Sequence, residues 1–275
     1  MQKVDFYALT SAPLPARLHA VDSACSIRLL SPQERLQVED RFFAMGRSVV
    51  IEQGTTAVVI SQVFTDRTEL DECATLVEFA LTLLTISGFQ PVEVAAIFQT
   101  AQCLRVVHRL RDANRMVGPS FAKSLTGSAM SMWFRRFLSA RSNTPDRMHI
   151  TADRFVRYSR ALNESDALMD LCISLESLLD TQTEISFRFG ICLTKLTGEK
   201  GKNAEEVSAL LSDLYTLRSK IAHGDPSAIK LLRKIQPQLP KLRHISRMIL
   251  TKYVLFMSDH SRDDWQKHLR TLIFE

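Results

Sequence analysis

The stretch that most limits what this chain can become runs from Asn203 to Gly224. Leu210, Leu214, Leu217 and Ile221 recur at three and four residues, so one face of a helix is committed to a core. Gly224 follows the last periodic residue, where a glycine commonly turns left-handed and stops a helix. His223 then falls in the final turn, among unpaired carbonyls at the negative end of the helix dipole. Arg218 lies beside the apolar seam. A permanent cation and a side chain that exchanges protons near neutral pH are the groups that work on a phosphodiester requires.

The same periodicity extends over the second half of the chain. Helices are predicted over Ala152–Leu162, Asp166–Leu179, Glu184–Leu196, Asn203–His223, Ala228–Ile235 and Lys241–Ser258. Asn163-Glu-Ser165 supplies cap chemistry, Thr183 is a candidate N-cap, and Pro237 and Pro240 interrupt the run after Ile235. The loop Thr197-Gly-Glu-Lys-Gly-Lys202 has glycine and lysine without the spacing of a phosphate-cradling loop, so no nucleotide cofactor is expected. A second arginine–histidine pair, Arg262 and His268, encloses a polar, acidic segment and reads as a solvated helix face.

Leu217-Arg-Ser-Lys-Ile-Ala-His-Gly224 resembles the ribonuclease signature of HEPN domains, in which an arginine, a polar residue, a short spacer and a histidine follow one another. Upstream, Leu171–Asp180 and Glu184–Gly190 resemble the second and third helices of the ApeA-like branch of that family. The resemblance covers roughly the last 125 residues, a size suited to one helical domain. It implies a bundle of four or five helices, acting as a homodimer with two copies of the motif facing one cleft. Residues five apart on a helix point about 140° away from each other, which is itself a reason to want a second copy.

What the resemblance implies chemically is metal-independent cleavage of RNA by its own 2′-hydroxyl. His223 is the expected general acid or base and Arg218 the holder of the nonbridging oxygens. Ser219 occupies the polar position after the arginine, where the family often has asparagine, aspartate or histidine. Glu176 and Arg188, on the matching helices, either orient Arg218 or the bound backbone or form a structural ion pair; Tyr215, one turn before Arg218, either stacks on a base or packs. Some HEPN toxins pair with an antitoxin that modifies a tyrosine beyond the histidine; here Gly224, Asp225 and Pro226 follow, and that partner is not expected.

The N-terminal half has a different texture. Ser48–Ile51 and Ala57–Ile60 are β-branched runs around a turn near Gly54 and predict a hairpin; Pro91–Phe98 and Cys103–Leu110 predict further strands. Leu70, Ala74, Val77, Leu81 and Leu84 predict a helix over Glu69–Ser87, and Trp133, Phe134 and Phe137 mark another over Ser131–Ala140. The expected fold class is therefore α+β. An N-terminal α+β domain over 1–146, a sensor or targeting module by the resemblance, precedes an all-α HEPN-like bundle over 147–275. The boundary is placed in Asn143-Thr-Pro-Asp146.

Composition enters where partners are concerned. In 275 residues the net charge is +5, and seven arginines without a lysine lie between Arg135 and Arg160. Arg154, Arg157 and Arg160 are the candidate RNA-binding residues of that run; its alternative reading is a solvated face. The longest oily stretch, Phe79–Ile86, is too short to span a bilayer, and no leader is visible, so a cytoplasmic protein without membrane contact is expected. Five widely spaced cysteines fit reduced thiols, and His108 and His149 have no neighbouring metal ligands.

Overall fold

The structure is a computed structural model that describes the backbone of residues 2–10, 19–20, 25–29, 31–33, 36, 56–64, 75–76, 79–80, 94–99, 127–161, 163–179 and 184–274. The chain divides into two compact units, Met1–Arg135 and Arg136–Glu275. The division falls inside a helix, α1 (Gly127–Asn143). Asn143, in the expected linker, donates its side-chain amide to the carbonyls of Met257 at 2.7 Å and His260 at 3.3 Å, which ties that stretch into the second unit.

In the first unit, strands β1 (Gln2–Thr10), β2 (His19–Ala20), β3 (Cys25–Leu29), β4 (Thr56–Phe64) and β5 (Val94–Gln99) form an antiparallel backbone ladder in the order β2-β3-β4-β1-β5. β4 pairs along its full length with β1, and its Thr56–Ile60 part pairs on the other edge with β3. Both edges of Thr56–Ile60 are thus occupied by strands distant in the chain. Residues 48–51 and Cys103–Leu110, with His108, lie outside the described residues, as does most of the predicted Glu69–Ser87 helix, of which 75–76 and 79–80 are helical.

The expected α+β class with an N-terminal α+β domain is corrected to a helical one. Where side-chain packing is described, 86% of the residues are helical and no strand or sheet takes part. β-branched runs such as Ala57–Ile60 signal that a segment suits a pleated surface, whereas a fold class is set by which faces are buried against a common core. Among the described residues that core is helical: even in the first unit its buried apolar members are Leu76, Phe79 and Ala80.

The second unit is built from α2 (Pro145–Arg160), α3 (Glu164–Glu176), α4 (Ile185–Thr197), α5 (Gly201–Ala222), α6 (Ala228–Ile235), α7 (Leu239–Met257) and α8 (Arg262–Phe274). Local chemistry sets the starts. Pro145 opens α2 with its missing N–H at a position that has no helical partner. Asn163 caps α3 by accepting the Ser165 N–H at 2.8 Å. Thr183, the expected cap of α4, lies outside the described residues, and the cap position is held by Glu184 with φ 53°.

Leu171, Leu175, Leu193, Leu211, Leu214, Ile249, Leu250 and Val254 are fully buried and join α3, α4, α5 and α7. Gly190 lets α4 approach α5 closely, since an added Cβ there meets the Ser212 hydroxyl at 3.3 Å. α2 and α3 run antiparallel: the Ser174 hydroxyl donates to the Thr151 carbonyl at 2.9 Å while, farther along α2, Arg154 meets Asp170. Trp265 of α8 closes the far side, donating its indole N–H to the Leu178 carbonyl at 2.7 Å and meeting the Tyr253 ring edge-on.

Candidate active site

α5 carries the motif residues because its seam is deep. Val207, Leu210, Leu211, Leu214 and Leu217 are buried, and the next residue, Arg218, is left at the margin with a third of its side chain exposed. Opposite stands the last residue of α3, Glu176, whose carboxylate reaches the Arg218 guanidinium at 3.7 Å. Charge pairing at a partly dry margin fixes the arginine more firmly than the same contact in open water. The ion pair that forms on Glu176 is thus with Arg218. None joins Glu176 to Arg188 among the described residues, and the Arg188 Nε is buried without a hydrogen-bond partner.

Two further groups border this pair. Cys172, one turn before Glu176, is fully buried, and that burial, reinforced by the Glu176 charge and opposed by Arg218, pushes its thiol pKa up. Tyr215 packs its ring on Phe189 with centroids 5.3 Å apart. Partial burial, then the Glu176 carboxylate, raises the Tyr215 pKa, with Arg218 acting the other way. In this arrangement the Tyr215 ring is held by an aromatic neighbour. Ser219 is half-buried, and its backbone carbonyl accepts the His223 N–H at 3.1 Å.

The end of α5 is a complete Schellman motif. Gly224 has φ 67°, its N–H reaches the Ile221 carbonyl at 3.1 Å, and the Asp225 N–H reaches the Lys220 carbonyl at 2.9 Å. Lys220 locks the turn by donating to the Asp225 carboxylate at 2.8 Å and to the Ser227 hydroxyl at 2.6 Å. Those bonds, Lys220 first and then the Ser227 N–H and hydroxyl, hold the Asp225 carboxyl at a pKa of about 2. His223 occupies the cap position with φ −96° and ψ 2° and is exposed. Near-helical angles preserve its angular offset from Arg218, and no hydrogen bond or ion pair joins the two among the described residues.

Two of the three candidate RNA-binding arginines are already engaged. Arg154 donates to Asp170 across the α2–α3 contact at 2.9 Å, and Arg157 meets Asp153 one turn away at 2.9 Å. The Arg160 side chain lies outside the described residues. Each of the first two must exchange a carboxylate for a phosphate before it can hold RNA.

Elsewhere, α4 and α5 flank an open groove of about 510 Å³ lined by Ile191, Thr194, Lys195, Ser208 and Ser212 among others. Among the described residues no group of three or more His, Cys, Asp or Glu side chains is placed to hold a metal. No described helix is long and apolar enough to cross a membrane. Arg243 and Arg247 of α7, beside Tyr158 of α2, form a cationic cluster that the sequence reading passed over. Its signal was present as two arginines four residues apart on the last long helix.

Compared with family models, with curated proteins and with solved structures, the chain matches none.

Proposed function

We propose that this protein is a metal-independent endoribonuclease that cleaves RNA through attack of the 2′-hydroxyl on the adjacent phosphorus. The observation that carries the reading is the placement of its two reactive groups. Arg218 is oriented by Glu176 at a half-buried margin, and His223 stands exposed on the rigid end of the same helix. A guanidinium is matched to the equatorial oxygens of a phosphorane, and a positioned imidazole that moves the protons contributes about 10²–10⁴-fold. Because the two side chains diverge around α5, one copy supplies only half of the cleft. A homodimer through the helical unit brings the Arg218 and His223 of both copies to one linkage.

The setting that the family likeness implies, a cytoplasmic antiphage or stress-response effector of bacteria, belongs to the same proposal. In it the first unit receives a regulatory signal or partner. A second reading, an RNA- or protein-binding dimer without cleavage, draws support from Ser219 after the arginine and from the carboxylate already seated on Arg218. Labelled RNA incubated with the full chain in chelator separates the two. Cleavage that His223→Ala abolishes, with a 2′-deoxy substitution at the cut site equally resistant, supports the nuclease. Binding without cleavage at every protein concentration supports the second reading.

A further inference from the structure

The α2–α7 contact holds two arginines that no acid balances among the described residues. The Nε of Arg243 donates to the Tyr158 hydroxyl at 3.5 Å, and Tyr158 is buried with its ring against Phe155. One turn farther along α7, Arg247 is half-buried, and its Nε is shut away from solvent without a hydrogen-bond partner. Burial and then the Arg243 charge lower the Arg247 pKa, Tyr158 acts the other way, and no carboxylate is among the groups that bear on it. A guanidinium in this position loses hydration and gains repulsion, and a charge-assisted bond to an anion offsets both.

We infer that Arg243, Arg247 and the Tyr158 hydroxyl form a binding site for a phosphate group carried by a small phosphorylated ligand. Two guanidiniums one turn apart offer a fork of donors matched to a terminal phosphate, and the neutral phenol adds a donor without repelling the anion. The enclosed Nε and the buried Tyr158 ring leave one side of the site closed. A phosphomonoester ends there, whereas a phosphodiester within a strand must leave in two directions. The site is independent of the nuclease reading. On α2, Tyr158 lies seven residues and about 10 Å of helical rise beyond Thr151, which marks the Ser174–Glu176 end of α3.

The test is calorimetric titration of the full chain with inorganic phosphate and with a nucleoside 5′-monophosphate, at constant ionic strength against a chloride control. Both phosphates are expected to bind, Arg247→Met to weaken them by about tenfold or more, and Arg270→Gln, on the exposed face of α8, to leave them unchanged. Arg247→Met keeps the apolar stem and removes an unbalanced charge, so the ligand-free variant is expected to melt no lower than the parent. Should it fail to fold, Arg243→Gln at an exposed position carries the same test. Equal heats with chloride, unchanged affinity in both variants, or an Arg247-dependent response to RNA lacking terminal phosphates but to neither small phosphate overturns the assignment.

Discussion

The helical unit holds arginines in two settings that differ in what stands opposite the guanidinium. At the α3–α5 contact Arg218 faces Glu176, and on the α2–α3 side Arg154 faces Asp170; at the α2–α7 contact Arg243 and Arg247 face a phenol and each other. A paired arginine is positioned and pre-screened, and an incoming phosphate must compete with a carboxylate for it. An unpaired one is loosely balanced and gains the full charge-assisted bond when an anion arrives. The first setting suits a group that must be aimed, the second a group that must bind.

The largest effect expected from disturbing the paired setting comes from the packing beneath it. Leu214→Ala empties a fully buried position on α5 and is expected to destabilise the unit by about 2–5 kcal/mol, read from the urea midpoint at unchanged m-value. Gly224→Ala forces a Cβ into a left-handed residue at the end of the same helix and is expected to cost roughly 1 kcal/mol in the same measurement. Glu176→Gln leaves Arg218 unpaired at a partly exposed margin, for about 0.5–1 kcal/mol. Arg247→Met, by contrast, should cost nothing without ligand; a loss larger than that of Glu176→Gln breaks the distinction between the two settings.

The smallest effect sharpens the description of the α5 terminus. The Asp225 carboxyl is held at about 2, below the usual carboxylate value of 3.8, chiefly by Lys220. A depressed folded pKa means that its contribution is fully present above about pH 3.8 and disappears as pH falls through about 2. NMR titration of the side-chain carboxyl is expected to place the midpoint there, with Lys220→Met moving it upward toward 3.8. A midpoint unmoved by that substitution contradicts the lock.

The helices of the second unit up to α7 were legible because each rests on signals a few residues apart; α8 was read only as a solvated face at Arg262–His268, yet it buries Trp265 and Leu269. Ala228–Ile235 is read to its ends, and Gly224 does adopt the left-handed conformation that its position implies. α2 begins seven residues before the expected Ala152, because Pro145, placed in the expected domain boundary, is the first residue of the helix. One strand of the expected N-terminal hairpin lies outside the described residues; β4 takes its neighbours from β1 and β3, and no local pattern encodes which strand wins an edge.

In the site, the spacing of Arg218 and His223 was visible, but the partner of Glu176 was not. Which of two arginines a carboxylate meets depends on the rotation of α5 against α3 and α4, a tertiary quantity. Charge runs mislead for the same reason. The arginines between Arg135 and Arg160 are conspicuous in sequence, yet Arg154 and Arg157 are matched by aspartates, while the unmatched Arg243 and Arg247 stand in an unremarkable helix.

The central claim is that Arg218 and His223 act on one ribose–phosphate linkage, and the chemistry of the cut ends tests it most directly. RNA fragments made by the full chain in chelator are expected to carry 2′,3′-cyclic phosphate and 5′-hydroxyl ends, and none should form with His223→Ala. Fragments with 3′-hydroxyl and 5′-phosphate ends, or cyclic-phosphate products made equally well by His223→Ala, contradict it.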